Sequence, residues 1–460
     1  MSTLVDRPGE ALVVGYAVTG QAAAEALAGR GWSVRAIDDA PLSELASQAA
    51  ADVGVEVVSQ PTREELAEAV ASAGLIVLSP GVSPSHGVFA LGDPARIISE
   101  IELAFQLAAD AGTTVIAVTG TNGKTTVTSL VTEILRADGR KAEAAGNIGR
   151  PFVEAVLAHE AEIFVVEVSS FQLAWTKTFR PGVACWLNFA EDHLDWHGDL
   201  AEYAAAKARI WANQQAGDVS VVNCEDVTVM KHALVSPGSL VTFGLDNGDY
   251  RERDGALFAR DAEICRTGQL PRSLRHDRSN ALAAAAVARS AGASIEACRS
   301  ALVAGVPMPH RIELVVEENG LSWFDDSKAT TPSAVAAALD GFDSVVLIAG
   351  GRNKGLDLRP MRSEATTGTL LGVVAIGEAA GEIAEVFKDV TTVERASTMA
   401  TAVETADRLA RARGARAVLL SPGCASFDWY RNYGDRGEDF ARRVKEHLDA
   451  CAPSSKGRDL

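Results

Sequence analysis

The stretch Val115-Ile116-Ala117-Val118-Thr119-Gly120-Thr121-Asn122-Gly123-Lys124-Thr125-Thr126 decides how this chain is read. Its apolar, β-branched opening predicts a buried strand, and Val127 to Arg136 behind it predicts a helix. Between them the glycines let backbone N–H groups approach a phosphate, and the helix N-terminus adds positive potential. Lys124 is placed to reach β- and γ-phosphates, and the Thr125 hydroxyl to ligand Mg²⁺. The general phosphate-loop pattern asks for a glycine where this chain has Val118, so the motif is a variant. An incidental Lys-Thr after a glycine turn is the plainer reading, but strand, turn, Lys-Thr and helix all agree on the first.

The variant Gly120-Thr121-Asn122-Gly123-Lys124-Thr125-Thr126 resembles the nucleotide loop of the Mur ligases. That family joins amino acids to a UDP-linked muramic acid at the expense of ATP. The resemblance runs through ordered motifs along nearly the whole chain. It implies an α/β protein of three domains: a Rossmann-like UDP-binding domain over 1–111, a central P-loop ATPase domain over 112–307, and a Rossmann-like α/β domain over 308–460 that takes the amino acid. ATP and two Mg²⁺ ions are the implied cofactors.

Composition agrees with that frame. At roughly 150 residues per domain, 460 residues suggest about three, and a hydrophobic fraction of 47% is ample for packed cores. The formal net charge of -18 repels nucleic-acid phosphates, and no basic patch offsets it, so no nucleic-acid partner is expected. Six cysteines without a C-x-x-C pair predict a reducing compartment and no structural zinc. Met1 to Glu10 lacks an apolar signal core, and no run approaches the ~18 apolar residues of a membrane span. A soluble, cytoplasmic protein is expected, with a monomer as the working assembly.

Upstream of the phosphate loop, Ala11 to Val14 predicts a strand, then Gly15-Tyr16-Ala17-Val18-Thr19-Gly20 a turn, an alanine-rich helix to about Gly29, and a second strand from Ser33 to Ile37 ending at Asp38-Asp39. This is the outline of a nucleotide-binding βαβ unit, with Ala17 where the middle glycine of a dinucleotide fingerprint belongs. An NAD site is therefore not expected, and a plain βαβ unit stands beside a nucleotide-binding one. The family resemblance makes Val18, Thr19 and Asp38 candidate UDP contacts. Leu75 to Leu78 predicts a further strand running into the rigid loop Ser79-Pro80-Gly81-Val82-Ser83-Pro84, and Ile98 to Leu103 opens a helix toward the central domain, with the boundary near Ala111-Gly112.

Downstream, Ala145-Gly146-Asn147-Ile148-Gly149 predicts a turn that either is ordinary or brings Asn147 to a substrate group. Ile163 to Glu167 predicts a buried strand with an acid at its end. A buried carboxylate is costly unless paired or metal-bound, and an acid at such a strand end is the usual Mg²⁺ partner of a phosphate loop; an exposed strand tip is the alternative. The run Glu167-Val168-Ser169-Ser170-Phe171-Gln172-Leu173 resembles the D-glutamate-adding branch of the family. His193 and His197 have the spacing of a zinc-protease helix, but Leu194 replaces the required glutamate. The resemblance instead puts His193 near the second Mg²⁺, and makes it a candidate base for the incoming amine. In the predicted helix Tyr203 to Trp211, composition alone makes Lys207 a solvated surface lysine. The match to the family's Tyr-x-x-x-Lys-x-x-Ile segment implies a carbamylated lysine acting as an anionic oxygen ligand, which suits a hard cation and requires a depressed pKa.

Val219 to Asp277 reads as a smaller β layer, followed by an alanine-rich helix from Ala281 to Ala291. Asn280 before it is a helix N-cap, a family-like adenine contact, or both. Pro307 to Glu313 marks a second linker in which Arg311 is a candidate ATP contact. By the resemblance, Asp326 meets the ribose and adenine side of the nucleotide, while Lys328, Thr330, Lys354 and Ser426, with Phe427 and Tyr433 as apolar walls, line a D-glutamate site. The implied substrates are thus UDP-N-acetylmuramoyl-L-alanine and D-glutamate. Ala452 to Leu460 reads as a polar, disordered tail.

Three other functions stand beside this one. A sister ligase such as folylpolyglutamate synthetase or the diaminopimelate-adding enzyme is the nearest, though the latter's Asp-Asn-Pro-Arg run is absent. An NAD-dependent oxidoreductase conflicts with Ala17, and a non-catalytic ATP-binding regulator has no need of Glu167, His193 and Lys207 together.

Overall fold

Strand-forming runs of the N-terminal hundred residues pair into a parallel sheet in the computed structural model, which describes residues 7–110, 112–194, 196–307, 309–362 and 368–451. Its order is Glu56–Ser59, Ser33–Asp38, Glu10–Val14, Leu75–Leu78, Ile97–Ser99. The helix Val18–Ala28 follows the first strand, and its alanines Ala22, Ala23, Ala24 and Ala26 are buried. Small side chains there let the helix lie close on the sheet. The βαβ unit is thus present with the boundaries its pattern predicted, to within a residue or two.

A second sheet runs in the order Ala262–Arg266, Ala256–Ala259, Tyr250–Arg253, Ser239–Phe243, Val219–Asn223, Val183–Trp186, Thr114–Thr119, Ile163–Glu167, Ala142–Gly146. The reading of Val219 to Asp277 as a smaller β layer of the domain is corrected here: its strands extend the main sheet. Val219–Asn223 pairs in parallel with Val183–Trp186, and the later strands continue the same sheet, turning antiparallel from Tyr250 onward. The alanine-rich helix Arg275–Ser290 has every residue from Asn280 to Ala288 buried. A helix apolar on all sides belongs inside a protein, and alanine keeps it slim enough to pass between layers. Because this helix begins at Arg275, Asn280 is an interior residue and not an N-cap.

The helix Glu100–Asp110 connects these two sheets, and two acids in its first turn are fully buried. Glu102 accepts hydrogen bonds from Lys177 N, Thr178 N, Thr178 Oγ1, Phe179 N and Gln106 Nε2, at 2.5–2.9 Å. Glu100 accepts from Val153 N at 2.6 Å, at the start of the helix Phe152–Ala158. Burial pushes the Glu100 carboxyl up to about 7, against the pull of the Val153 and Phe152 N–H groups.

A third sheet has the order Glu313–Glu318, Leu321–Asp325, Ala417–Gly423, Val345–Gly350, Leu370–Ile376, Val393–Arg395, parallel except for the first pair. The chain divides into two compact units. One comprises Met1–Phe189, Trp196–Ser273 and Asp277–Val306, and holds the first two sheets; the other comprises Ala190–Asp195, Leu274–His276 and Pro307–Leu460. Ala111 at the expected first boundary, Met308 in the second linker, Asp195, and the tail from Ala452 to Leu460 lie outside the described residues. Among the described residues no helix is long and apolar enough to cross a membrane.

Candidate functional site

The phosphate-loop stretch folds as its residues demand. The strand Thr114–Thr119 is buried from Val115 onward, and the helix Lys124–Ala137 starts on Gly123 at φ +84. That glycine has two reasons to be there. Its backbone is left-handed, and a Cβ would stand 2.5 Å from Asn280 Oδ1. Lys124 Nζ donates to Gly120 O at 2.9 Å and Thr121 O at 3.0 Å, folding back over the loop. Asn188, which sequence reasoning passed over, props the loop from below. Its Oδ1 accepts from Thr121 N and Asn122 N at 3.1 and 2.9 Å, and its Nδ2 donates to Asn122 O at 3.0 Å. Two buried groups beside the loop, Asn280 Nδ2 and Thr126 Oγ1, have no hydrogen-bond partner among the described residues. Asn280 therefore lies against the loop, although the sequence had offered a cap for it.

Glu167 ends the neighbouring strand, with Val118 as its register partner. It is buried, so the exposed-tip alternative does not hold. Asn147 Nδ2 donates to its Oε1 at 2.9 Å, and Asn147 N donates to its main-chain carbonyl at 2.9 Å. Oε2 is buried and has no hydrogen-bond partner among the described residues. A half-satisfied buried carboxylate is expensive, and a hard cation is the partner such an oxygen fits. Lys207 is buried as well, which overturns the solvated-lysine reading of its composition. Its Nζ donates to Gly120 O at 2.8 Å and sits 4.6 Å from the centre of the Tyr203 ring. Tyr203 OH in turn lies 3.3 Å from Thr121 Oγ1. Lys124 and Lys207 therefore converge on one carbonyl of the loop, and Thr125 and Thr126 open the helix beside them.

At the first sheet, Asp38 Oδ2 accepts from Tyr16 N at 2.6 Å and Oδ1 from Ala40 N at 2.8 Å. Ser79 Oγ donates to Gly15 O at 2.7 Å. A cavity of about 670 Å³ opens there, lined by Val18, Thr19 and Asp38, by the Ser79 to Ser83 loop, and by Asn147 and its neighbouring glycines. The structure thus brings Val18, Thr19, Asp38 and Asn147 to one cavity.

The second unit gathers its own set. The Gly-rich turn carrying Lys354 is paired to the loop carrying Ser426: Arg352 N donates to Ala425 O at 2.9 Å and Ala425 N to Arg352 O at 3.0 Å. Gly351 permits this, since a Cβ there would meet Ala425 O at 2.3 Å and its φ is +132. Buried Arg436, which the sequence did not single out, donates to Ser327 Oγ, Ser327 O and Cys424 O at 2.8–3.1 Å. It braces the loop of Lys328 and Thr330 against that of Ser426 and Phe427. Burial pushes its guanidinium down to about 10. Lys328 Nζ lies 5.6 Å from the centre of the Tyr433 ring, and Phe427 is 60% exposed. Asp326 Oδ2 accepts from Ser421 Oγ at 2.7 Å. Half-buried Arg311 follows His310, whose Nδ1 is 2.7 Å from Asp325 Oδ2. His193, in the segment Ala190–Asp195, holds a left-handed backbone, with Nε2 3.2 Å from Asp192 Oδ2.

A phosphate loop, a strand-end acid with an open oxygen and a buried lysine bonded to the loop make a nucleotide-phosphate site, and the family matches make its class an amide-forming ligase. Family models agree: residues 118–288 match the Mur ligase middle domain, and 310–424 the Mur ligase glutamate ligase domain. Across 94% of its length the chain is 42% identical to the UDP-N-acetylmuramoylalanine–D-glutamate ligase of Frankia casuarinae, covering 93% of that protein. It is 38% identical to the enzyme of the same name from Pelobacter propionicus, over 94% of this chain and 98% of that one. Among solved structures, MurF from Acinetobacter baumannii shares the fold at a TM-score of 0.62 and 17% identity, over 96% of this chain and 91% of that chain. The chain belongs to the Mur ligase family.

Proposed function

We propose that this protein adds D-glutamate to UDP-N-acetylmuramoyl-L-alanine, consuming ATP and releasing ADP and phosphate, in the cytoplasmic stage of peptidoglycan synthesis. The observation that carries the reading is the meeting, on adjacent strands, of the phosphate loop and the open oxygen of Glu167. The choice of D-glutamate follows the relatives of that name. The division at 1–111, 112–307 and 308–460 is part of the proposal, and each part carries one sheet. The working assembly is a monomer.

The substrate carboxylate attacks the γ-phosphorus of ATP, and the P–O bond to ADP breaks. Both reactants are anions, so the protein must hold them together against their repulsion. Lys124, Gly120 to Gly123, Thr125 and Thr126 hold the phosphates, with backbone N–H groups and one ammonium aimed at the oxygens where charge spreads. Asn280, Arg311 and Asp326 hold the nucleoside. Glu167 and Thr125 would ligand Mg²⁺, joined by carbamylated Lys207 and by His193 for a second ion; bound there, the metal supplies charge neutralisation. The acyl phosphate so formed has an electrophilic carboxyl carbon. The amine of D-glutamate attacks it, losing a proton for which His193 is the candidate base, and phosphate leaves. Val18, Thr19, Asp38 and Asn147 hold the UDP substrate.

Lys328, Lys354, Thr330 and Ser426 receive the two carboxylates of D-glutamate, between Phe427 and Tyr433. A neutral amino acid would bring no second carboxylate to these two lysines, which favours a dicarboxylate in their place. Lys354→Ala should raise the KM for D-glutamate by about tenfold and leave that for ATP within about twofold. ADP release measured side by side with D-glutamate, L-glutamate and diaminopimelate tests the assignment. Faster turnover with either of the last two would move the chain to another branch of the family.

A further inference from the structure

A buried histidine ties the acid-bearing strand to the phosphate loop. His197 is buried, and its Nε2 lies 2.9 Å from Ser170 Oγ. Ser170 opens the short helix that follows Glu167, and it too is buried. On its other side the His197 ring rests on Tyr203, with centroids 5.0 Å apart. Phe171 and Trp196 close the cluster, at 5.7 and 4.5 Å from the same imidazole.

The far edge of Tyr203 reaches the phosphate loop, through Thr121 Oγ1 at 3.3 Å and through Lys207, whose Nζ stands over its ring. Lys207 Nζ is itself fixed to Gly120 O. One imidazole thus touches both Ser170, three residues past the strand end at Glu167, and the aromatic wall supporting Lys207 and Thr121. A phosphate cradle acts through donors set before the substrate arrives, and a 1 Å error in such a site can cost about 10²-fold in rate.

We propose that His197 is a positioning residue for phosphoryl transfer: by bonding Ser170 and packing on Tyr203 it keeps Glu167, Lys207 and Thr121 in mutual register. It touches no reacting atom. The inference rests on the ligase reading above, and its scope is the nucleotide half of the reaction.

The shapes of its neighbours set what a substitution does. His197→Phe keeps the ring on Tyr203 and loses the bond to Ser170. His197→Gln keeps a polar group for Ser170 and loses the ring. Ser170→Ala removes only the hydroxyl.

The test is a double-mutant cycle on the full-length protein, read by steady-state ADP release and by calorimetric binding of ADP and of the UDP-muramoyl substrate. His197→Phe should lower kcat/KM for ATP about tenfold, while the dissociation constant of the UDP substrate moves less than twofold. Ser170→Ala should give a smaller loss, and adding it to His197→Phe should cost nothing further, because the bond is already gone. His197→Gln should lower kcat with less change in ADP affinity than His197→Phe shows. Additive losses in the cycle, equal losses for ATP and the UDP substrate, or wild-type kinetics in both His197 variants would each overturn the proposal. Should a His197 variant fail to fold, Ser170→Ala and Tyr203→Phe carry the cycle in its place; wild-type kcat/KM for ATP in both would overturn it. A wild-type protein that binds no ADP would sink the ligase reading itself, a result separable from all of these.

Discussion

Two turns in the first unit share one element order and end in opposite states. Strand, glycine turn and helix occur at Val14 to Val18 and again at Thr119 to Lys124. At the first, the polar groups are spent within the protein: Asp38 accepts from Tyr16 N and Ala40 N, and Ser79 Oγ caps Gly15 O. At the second, Asn280 Nδ2, Thr126 Oγ1 and Glu167 Oε2 are buried without hydrogen-bond partners among the described residues. The first turn offers a wall whose Asp38 is already bonded to backbone N–H groups, beside a cavity of about 670 Å³. The second has polar groups whose burial is justified only when something charged arrives. The two turns share an element order and differ in how many buried polar groups beside them are left open.

The strongest way to break this contrast is Lys124→Ala. The lysine opens a helix and is half-buried over the loop, so its truncation leaves no core cavity, and loss of one preorganised donor costs about 10²-fold or more in rate. The variant should fold normally and release almost no ADP. Wild-type turnover by a folded Lys124→Ala protein would mean that the second turn is not the phosphate site.

Lys207→Ala sharpens the same side of the comparison. If the lysine carries a carbamate, the variant should fall to background, and a short carboxylic acid added to the assay should restore part of the rate as a replacement oxygen ligand. Full activity in Lys207→Ala, or no rescue at any acid concentration, would remove the carbamate from the account.

Asp38→Ala probes the first turn. It strands Tyr16 N and Ala40 N, each of which loses a charge-assisted bond of about 1.5–3 kcal/mol. The KM for the UDP-muramoyl substrate should rise about tenfold, with the KM for ATP unchanged within about twofold. Parallel changes in both constants would show that the two turns do not act separately.

The smallest effect is expected at Glu100, on the helix between the two sheets. Its folded carboxyl holds a proton up to about 7, whereas the reference value is 4.5. Between those two values the folded state binds more protons than the unfolded one, so stability falls as pH rises through that window. Above it the full cost is present, on the order of 3.4 kcal/mol from the 1.36 kcal/mol carried by each pKa unit. Glu100→Gln has no such dependence. Its melting temperature, measured against wild type, should therefore gain several degrees between pH 5 and pH 8. A constant difference across that range would contradict the buried-acid account.

What the sequence disclosed and what it hid divide along contact distance. The strands Leu75–Leu78 and Ile163–Glu167 and the loop of Lys124 were legible, because apolar period, turn glycines and helix starts are local signals. The strands after Val219 were misread as a smaller layer of the domain, since short alternating runs look alike whether they extend a sheet or begin one. Lys207 looked solvated because its neighbours are alanines, and alanine is common on exposed and buried helix faces alike. Asn188 and Tyr203 act on residues 66 and 82 positions away, and nothing in their own surroundings announces it. Arg436 meets Ser327 across 109 positions and was equally silent. The resemblance to a family filled some of these gaps, for Lys207 and Asn280, but not for the supporting groups that hold them.

The buried bonds of Glu102 set where this chain can be cut. Its carboxylate accepts from the backbone N–H groups of Lys177, Thr178 and Phe179 and the Thr178 hydroxyl, and that of Glu100 from the start of the helix Phe152–Ala158. A fragment ending near Asp110 would carry both acids away from every one of those donors and expose the apolar face of their helix. Subcloning the first sheet as a free-standing module would therefore give an insoluble or proteolysed product. A division after Val306 would keep both acids with their donors. What looks in the sequence like a linker helix is, for the protein engineer, an inseparable seam.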